Sequence, residues 1–313
     1  GQYPLEIPDQ IPGCAWIPPI KPQLIEVANG ELTLEEWMSL LSDEDMVRLL
    51  GGQPNRGVAN TFGFGNLPTY GEPNGMTADG PAGLRIKPEC GVTTTAFPCA
   101  TLLACTWNTE IVREIGAAGA REVHENGIGV WLTPAINIHR TPLCGRNFEY
   151  YSEDGVLSGK MAANAVIGAE KYGVYAYIKH FALNDQETNR CAFLLTYSNE
   201  QAIREIYLKP FELCIKNFDG TQIAVMSSFN WIGTVPACAN EDTLTTILRN
   251  EWGFQGMVIT DYDGSYGYMI TDHCVRTGND LMLGFSSQAS NQLTNTESAT
   301  LNNALRTHLL TTI

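Results

Sequence analysis

A carboxylate at the end of an apolar run is the feature of this sequence with the clearest chemical potential. Met257 to Ile259 is short and apolar, as expected of a buried strand, and Asp261 follows it in a turn of polar and glycine residues. Asp is depleted inside strands and costly to bury. It either caps the following helix or serves as a catalytic carboxylate at the carboxyl end of a barrel strand. Asp263 is a rival for the catalytic role.

Charged side chains recur after the earlier apolar runs. They fall into pairs: Asp79 with Arg85, Arg146 with Glu149, Lys179 with His180, and Glu187 with Arg190. Singly, each pair has an ordinary explanation as turn residues or a structural ion pair. Together, such groups at successive strand ends are expected to converge on one face of a barrel. Many fixed donors and acceptors of this kind suit a polyhydroxylated substrate.

Alternating helical and strand patterns must position these groups. Helices are predicted over 34–50, 109–126, 156–172, 199–217 and 241–252, and strands over 76–78, 127–133, 174–178, 222–226, 256–260 and 281–283. Strands that alternate with helices form βαβ units and a parallel sheet. A length of 313 residues suits a (β/α)₈ barrel. An open doubly wound sheet is the alternative, although no dinucleotide-binding or phosphate-binding glycine loop follows any of the strands.

The barrel assignment covers residues 34–285. Before it, residues 1–33 are rich in proline and are predicted to be an extended arm or an interdomain linker. After it, residues 286–313 are predicted to be a polar loop and a helix over 297–310 that closes the barrel. The tail has no clear finish, so we expect the chain to be one part of a larger enzyme.

Composition excludes several classes of partner. The net charge is −15, which repels nucleic acid and anionic membrane surfaces. The lack of an 18-residue apolar run predicts that no helix spans a membrane. Nine widely spaced cysteines, with no CxxC pair, favour reduced thiols in a cytoplasmic protein over a disulfide framework or a zinc site.

Six ordered motifs in this chain resemble glycoside hydrolase family 3, the β-glucosidase group. The motifs begin at Asp79 (DGPAGLR), Gly145 (GRNFEYYSED), Lys179 (KHFALNDQE), Glu205 (EIYLKPF), Asn250 (NEWGFQG) and Thr260 (TDY). The resemblance covers residues 34–285. It implies a TIM-like (β/α)₈ barrel, which need not be regular, and retaining, exo-acting hydrolysis of terminal non-reducing β-D-glucosyl residues. The substrate would be a β-glucoside or an oligosaccharide, with no metal and no cofactor.

The resemblance also implies roles for individual residues. Asp261 matches the nucleophile, which forms a covalent glycosyl-enzyme that water then hydrolyses. The positions that bind sugar hydroxyls match Asp79, Arg146, Lys179 and His180, while Arg85, Glu187 and Arg190 are expected to brace the site from behind. Because the nucleophile must be ionised, we expect Lys179 or Arg146 to hold the pKa of Asp261 down.

Two departures from the family pattern stand out. The family often has tyrosine at the position of Phe229, where its hydroxyl supports the nucleophile. A retaining glycosidase also needs a second carboxyl about 5 Å from the first. Two-domain members take it from a glutamate on a separate α/β sandwich domain, and single-domain relatives use a histidine in the loop that here spans 182–189 and lacks it. We therefore expect the acid/base to come from a sandwich domain outside this chain.

Other functions fit part of the pattern. A β-xylosidase or another family-3 exo-glycosidase is a close variant. Lys179 at a strand end could instead form a Schiff base, as in an aldolase. A barrel that lacks its acid/base could bind sugars without turnover. The pattern leaves open whether the protein forms an oligomer.

Overall fold

The computed structural model describes residues 21–53, 57–218, 223–262 and 268–284. Its strands, in chain order, are β1 (Phe64–Leu67), β2 (Glu72–Gly75), β3 (Thr77–Ala78), β4 (Val130–Trp131), β5 (Tyr175–Phe181), β6 (Leu195–Thr196), β7 (Ile223–Ser227), β8 (Trp231–Ile232), β9 (Val235–Pro236) and β10 (Val258–Ile259). Its α-helices are α1 (Leu24–Ala28), α2 (Leu34–Met38), α3 (Asp43–Leu49), α4 (Ala100–Cys105), α5 (Thr109–Glu125), α6 (Gly155–Glu170), α7 (Glu200–Ala202), α8 (Lys209–Lys216) and α9 (Thr271–Arg276). Two π-helical segments, Ile203–Tyr207 and Asp242–Glu251, complete the helical layer.

The central sheet is parallel, with its strands in the order β10-β7-β5-β4-β3. Helical segments connect each strand to the next, as βαβ units require. Single parallel bridges extend the β10 edge, from Ile259 to Leu281 and from Met282 to Gly51. The sheet curls into a half-barrel, and the ends of all the predicted strands lie on it.

A closed eight-stranded barrel is not formed by the part of the chain that the structure describes. Five strands and two single-residue bridges make the curled sheet. Segments that would form further strands in a regular barrel instead form an antiparallel pair, β1 with β2, and a small sheet in the order β6-β8-β9. The predicted parallel α/β sheet is confirmed, whereas the closed (β/α)₈ barrel is replaced by a half-barrel.

The strands are apolar on both faces. On one face, Tyr177, Met226 and Ile259 belong to a cluster inside the curl of the sheet. On the other face, Ile178 and Val225 pack in the larger core with the helices. Because side chains alternate along a strand, burial of both faces produces the continuous apolar runs that predicted a parallel sheet.

Several local predictions need correction. The single helix predicted over 34–50 is two helices, because Thr33 caps α2 and Ser42 caps α3, each in a reciprocal capping box. Residues 21–33, predicted as extended, contain α1, whereas residues 1–20 and the predicted terminal helix lie outside the described residues. The β1–β2 pair, α4 and the small sheet were not predicted. No described helix combines the length and hydropathy needed to cross a bilayer.

Glycines let α5 and α6 approach closely. A Cβ added to Gly116 of α5 would lie 2.2 Å from the carbonyl oxygen of Ala165 in α6. A Cβ added to Gly168 of α6 would lie 2.1 Å from the carbonyl oxygen of Arg113 in α5. The two helices therefore cross at backbone contact, which holds them flat against β4 and β5.

Gly116→Ala is predicted to destabilise the protein despite its gain of about 1 kcal/mol in helix propensity. The added methyl group meets rigid backbone, and overpacking of this kind costs about 1–3 kcal/mol or more. We expect a net loss that lowers the urea midpoint of unfolding. Gly129→Ala is the matched control, because no atom lies within 4 Å of its added Cβ and a change below about 0.5 kcal/mol is expected. An unchanged midpoint for Gly116→Ala would show that the helices separate at little cost.

Candidate active site

A cavity of about 380 Å³ opens at the carboxyl end of the parallel strands. Asp79 follows β3, His180 lies near the end of β5, and Asp261 follows β10. Because these strands are parallel, their carboxyl ends meet at one edge of the sheet. The charged and imidazole groups that line the cavity are Asp79, Arg85, Arg146, Glu149, Lys179, His180, Arg190 and Asp261.

Seven of the eight residues predicted for the site line this cavity. Glu187 is the exception, and it contacts Arg190 and Arg146 from behind. Arg85 and Arg190 were predicted to lie behind the site, but both face the cavity. Glu149 also lines it, although it was interpreted only as a structural partner of Arg146. Asp263, the rival of Asp261, lies outside the described residues.

A bulge in β5 lets Lys179 and His180 both reach the cavity. Lys179 is paired with Met226 of β7 and Phe181 with Ser227, so His180 is an extra residue in the ladder. In a regular strand, adjacent side chains point to opposite faces. The extra residue changes the direction of the strand locally, as β-bulges next to active sites do.

Lys179 and Asp79 form a tight ion pair. The Lys179 Nζ donates to Asp79 Oδ1 at 2.6 Å, and the Arg85 guanidinium lies 3.4 Å from Oδ2. Burial raises the pKa of Asp79, but the Lys179 ammonium, a hydrogen bond from the Gly80 backbone and Arg85 outweigh it and lower that pKa to about 2. Asp79 is therefore an ionised acceptor. Because the amine is paired with a carboxylate, the geometry does not favour a Schiff-base lysine.

His180 is buried and neutral. Burial lowers its pKa well below 6.5, and the nearby charges of Arg146, Lys179 and Arg190 lower it further. Its Nε2 lies 3.1 Å from a terminal nitrogen of Arg146, which can only donate. The ring proton is therefore on Nδ1, 3.3 Å from the Asn137 Oδ1. His180 is thus an acceptor at Nε2 and forms no ion pair with Asp261, whose Oδ2 lies 3.7 Å away.

Asn137 and Tyr150 hold the His180 ring in place. The Asn137 amide spans the backbone of His180, accepting from its N–H at 2.8 Å and donating to its carbonyl at 2.9 Å. The Tyr150 hydroxyl lies 3.4 Å from Nδ1. The role of Asn137 was not predicted, although it stands among the polar residues that follow β4.

Asp261 is a half-buried carboxylate whose Oδ1 is hydrogen-bonded and whose Oδ2 is not. Its Oδ1 accepts from the backbone N–H of Tyr262 at 2.8 Å. Its Oδ2 is buried, has no hydrogen-bond partner, and lies 3.6 Å from the guanidinium of Arg190. Burial raises the pKa of Asp261, and the cations Arg190, Lys179 and Arg146 offset this only in part, so the pKa stays above its usual value. The prediction that Lys179 or Arg146 holds the pKa of Asp261 down is therefore wrong: both cations lower this pKa, but the net shift is upward.

The arrangement can bind a polar ring and attack it. Asp79 offers a permanent negative charge, Arg146 and Lys179 offer donors, and His180 orients Arg146 through its Nε2. Asp79 and Glu149 are each ion-paired within the cavity. Among the lining carboxylates of the described residues, Asp261 is distinguished by a buried oxygen that has no hydrogen-bond partner.

A parallel half-barrel that gathers carboxylates and cations at its strand ends is the architecture of enzymes built on TIM-barrel-like domains. The chain belongs to glycosyl hydrolase family 3. The model of the family's N-terminal domain matches residues 78–285.

Relatives and solved structures agree with this assignment. The chain is 52% identical over 262 residues to β-glucosidase A of Butyrivibrio fibrisolvens. The aligned region covers 84% of this chain and 31% of that protein. It is 41% identical over 248 residues to β-glucosidase B of Emericella nidulans, covering 79% of this chain and 27% of that protein. The chain therefore spans about a third of the length of these relatives.

The fold is similar to that of β-glucosidase 3B from Thermotoga neapolitana, solved in complex with α-D-glucose. The TM-score is 0.77 at 39% identity, over 88% of this chain and 41% of that one. A β-glucosidase from Paenibacillus barengoltzii gives a TM-score of 0.79 at 37% identity, over 91% of this chain and 33% of that one.

Replacement of Asp261 and replacement of Asp79 by asparagine are predicted to change the stability of the protein in opposite directions. At pH 7, Asp261→Asn is expected to raise Tm, because it replaces a desolvated charge whose pKa is raised. This gain should shrink as the pH falls through the raised pKa of Asp261 towards the unfolded value near 4. Asp79→Asn is expected to lower Tm at pH 7, because a depressed pKa contributes stability above the unfolded pKa, and this effect should fade between about pH 4 and 2.

Thermal unfolding of both variants and the wild type across pH 2–7 measures these effects. The paired substitutions control for the amide itself, since both exchange Asp for Asn. A loss of Tm at pH 7 in Asp261→Asn would contradict the reading of Asp261 as a strained, desolvated group.

Proposed function

We propose that this chain is the catalytic barrel of a retaining β-glucosidase that removes terminal non-reducing β-D-glucosyl residues. The observation that carries the proposal is the open Oδ2 of Asp261, buried at the cavity wall beside Arg190 and His180. The names of the relatives support glucose as the sugar. The same pocket chemistry would also serve a β-xylosidase or another family-3 exo-glycosidase.

In this mechanism, Asp261 attacks the anomeric carbon as the bond to the leaving group breaks. A glycosyl ester forms on Oδ2, and water then cleaves it and releases the carboxylate. The raised pKa of Asp261 means that activity falls on the acid side at a higher pH than for an ordinary aspartate. Arg190 is the largest of the charges that oppose this rise.

Four side chains would hold the sugar. Asp79 would accept from two neighbouring hydroxyls, with its charge fixed by Lys179. Lys179 and Arg146 would donate. His180, being neutral, would accept from Arg146 at Nε2 and so orient that guanidinium towards the sugar. Fixed groups of both kinds orient a ring for attack.

The general acid/base would come from outside this chain. Within the described cavity wall, the carboxylates other than Asp261 are ion-paired with Lys179 or Arg146. The relatives are about three times as long as the matched region, which leaves room for an α/β sandwich domain that carries a glutamate. A barrel that binds sugars without turnover is the alternative if no such domain joins it.

Covalent trapping tests the nucleophile. We expect 2,4-dinitrophenyl 2-deoxy-2-fluoro-β-glucoside to label the protein once, with the adduct on the peptide that contains Asp261. This leaving group departs with little need for protonation, so the assay does not depend on the acid. Intact-mass spectrometry and peptide mapping provide the measurement. Asp261→Asn should abolish labelling while Asp263→Asn retains it, and an adduct on Asp263 would transfer the role to that residue.

Dependence on the leaving group tests the absent acid. The 313-residue chain is predicted to cleave 2,4-dinitrophenyl β-glucoside but to act on cellobiose about 10²–10⁴-fold more slowly than an enzyme with its acid in place, the usual contribution of general acid catalysis. Steady-state rates on both substrates, compared with those of the protein that includes the sandwich domain, measure this. Full activity of the chain alone on cellobiose would mean that the acid lies within it.

A further inference from the structure

Arg190 lies at ion-pair distance from Asp261, the proposed nucleophile, but just beyond hydrogen-bond distance. Its NH1 nitrogen lies 3.6 Å from the Asp261 Oδ2. Both atoms are buried, and neither has a hydrogen-bond partner. Leaving a buried donor and a buried acceptor without a hydrogen bond costs free energy, and the cost is larger when the groups are charged than when they are neutral. Because the two atoms lie just beyond hydrogen-bond distance, a small movement of either side chain would join them.

Two contacts hold the guanidinium in this position. Its Nε lies 3.1 Å from Glu187 Oε2 in an ion pair, and Glu187 Oε1 accepts from the amide of Asn184 at 3.1 Å. Its plane lies over the ring of Phe229, with the guanidinium carbon 4.5 Å from the ring centroid. A cation over an aromatic face is attracted to it, and more strongly when both are desolvated. Arg190 is therefore oriented by a carboxylate on one side and an aromatic ring beneath.

Phe229 is fixed in turn. Its ring is buried in a cluster with Met269 and Met282, and its carbonyl accepts from the Tyr268 hydroxyl at 2.8 Å. Phe229 has no polar atom in its side chain to offer Asp261. The donor closest to the open oxygen on this side of the carboxylate, among the contacts the structure describes, is then the Arg190 guanidinium.

The other charges near Asp261 are already engaged. Lys179 is paired with Asp79, and Arg146 contacts Glu149 and the Nε2 of His180. His180 is neutral and turns an acceptor towards Arg146. Arg190 keeps an unbonded nitrogen on the Asp261 side, so it is the cation able to move onto the open oxygen.

We propose that Arg190 is a positioning residue for Asp261. When the cavity is occupied, the Arg190 guanidinium moves onto Oδ2 of Asp261 and keeps that carboxylate ionised and correctly oriented. An approach of less than about 1 Å brings the two atoms to charge-assisted hydrogen-bond distance. With the Tyr262 N–H on Oδ1, both oxygens are then oriented, and Oδ2 retains a lone pair for attack. The same cation stabilises the carboxylate as it leaves the ester. This inference rests on the proposed role of Asp261 as nucleophile.

The test is the pH dependence of covalent inactivation by 2,4-dinitrophenyl 2-deoxy-2-fluoro-β-glucoside, measured on the full chain. In Arg190→Met, we expect the acid limb of the inactivation rate to move upward by about 1–3 pH units, the range by which a neighbouring arginine lowers the pKa of an aspartate. Arg190→Gln should move it similarly, because it also lacks the charge. Arg190→Lys should leave the limb near that of the wild type. Phe229→Leu, which removes the ring beneath the guanidinium, should give an intermediate shift.

Arg121→Met is the matched control, because Arg121 is exposed on α5 and is paired only with Glu125 among the contacts described. Circular dichroism establishes that each variant is folded. If Arg190→Met does not fold, Arg190→Gln and Arg190→Lys provide the test. An acid limb unmoved in the uncharged variants, or moved as far by Lys as by Gln, overturns the role of Arg190. A wild type that is not labelled at Asp261 overturns the proposed function instead, so the two failures are distinguishable.

Discussion

Burial of charge at one edge of a parallel sheet is the constraint on which the rest of this structure depends. Four cations and three carboxylates line a cavity of about 380 Å³, and charges removed from water persist only when they are paired. Lys179 is neutralised by Asp79 and Arg146 by Glu149. His180 responds to the same field by remaining uncharged. Asp261 and Arg190 each keep a buried atom without a hydrogen-bond partner, and the proposed reactivity of the site is concentrated there.

The sheet supports this balance by the way its central strand is built. β5 is the longest strand, it is buried for most of its length, and its bulge at His180 turns two successive side chains towards the cavity. Glycine contacts between α5 and α6 bring the helical layer close enough to shield the strands from water. A rigid layer of this kind is needed, because the hydrogen bonds around His180 and Asp261 lose their effect if water enters or the strand ends separate.

The site also has a clear chemical incompleteness. Under the proposed function, the described lining residues supply binding groups and a nucleophile but no proton donor for the leaving group. The matched regions are 31% and 27% of the lengths of these two relatives, so under the proposed function a division of labour between domains would account for this without any change to the barrel. In such a division, the barrel would supply recognition and the first covalent step, and closure of a second domain would supply the acid and exclude water.

The sequence alone determined the alternation of helices with the strands of the parallel sheet, because strand periodicity is a local signal. Charged residues at strand ends, together with the family resemblance, indicated the set of residues at the site. Seven of the eight predicted residues line one cavity. Only the tertiary structure decided the protonation of His180, the raised pKa of Asp261 and the exposure of Arg190 to the cavity. Desolvation and charge pairing depend on which groups meet across distant segments, such as Lys179 with Asp79 and Arg190 with Asp261. The opening of the barrel into a half-barrel was likewise decided by long-range pairing, since two-residue strands such as β8 carry no periodic signal of their own.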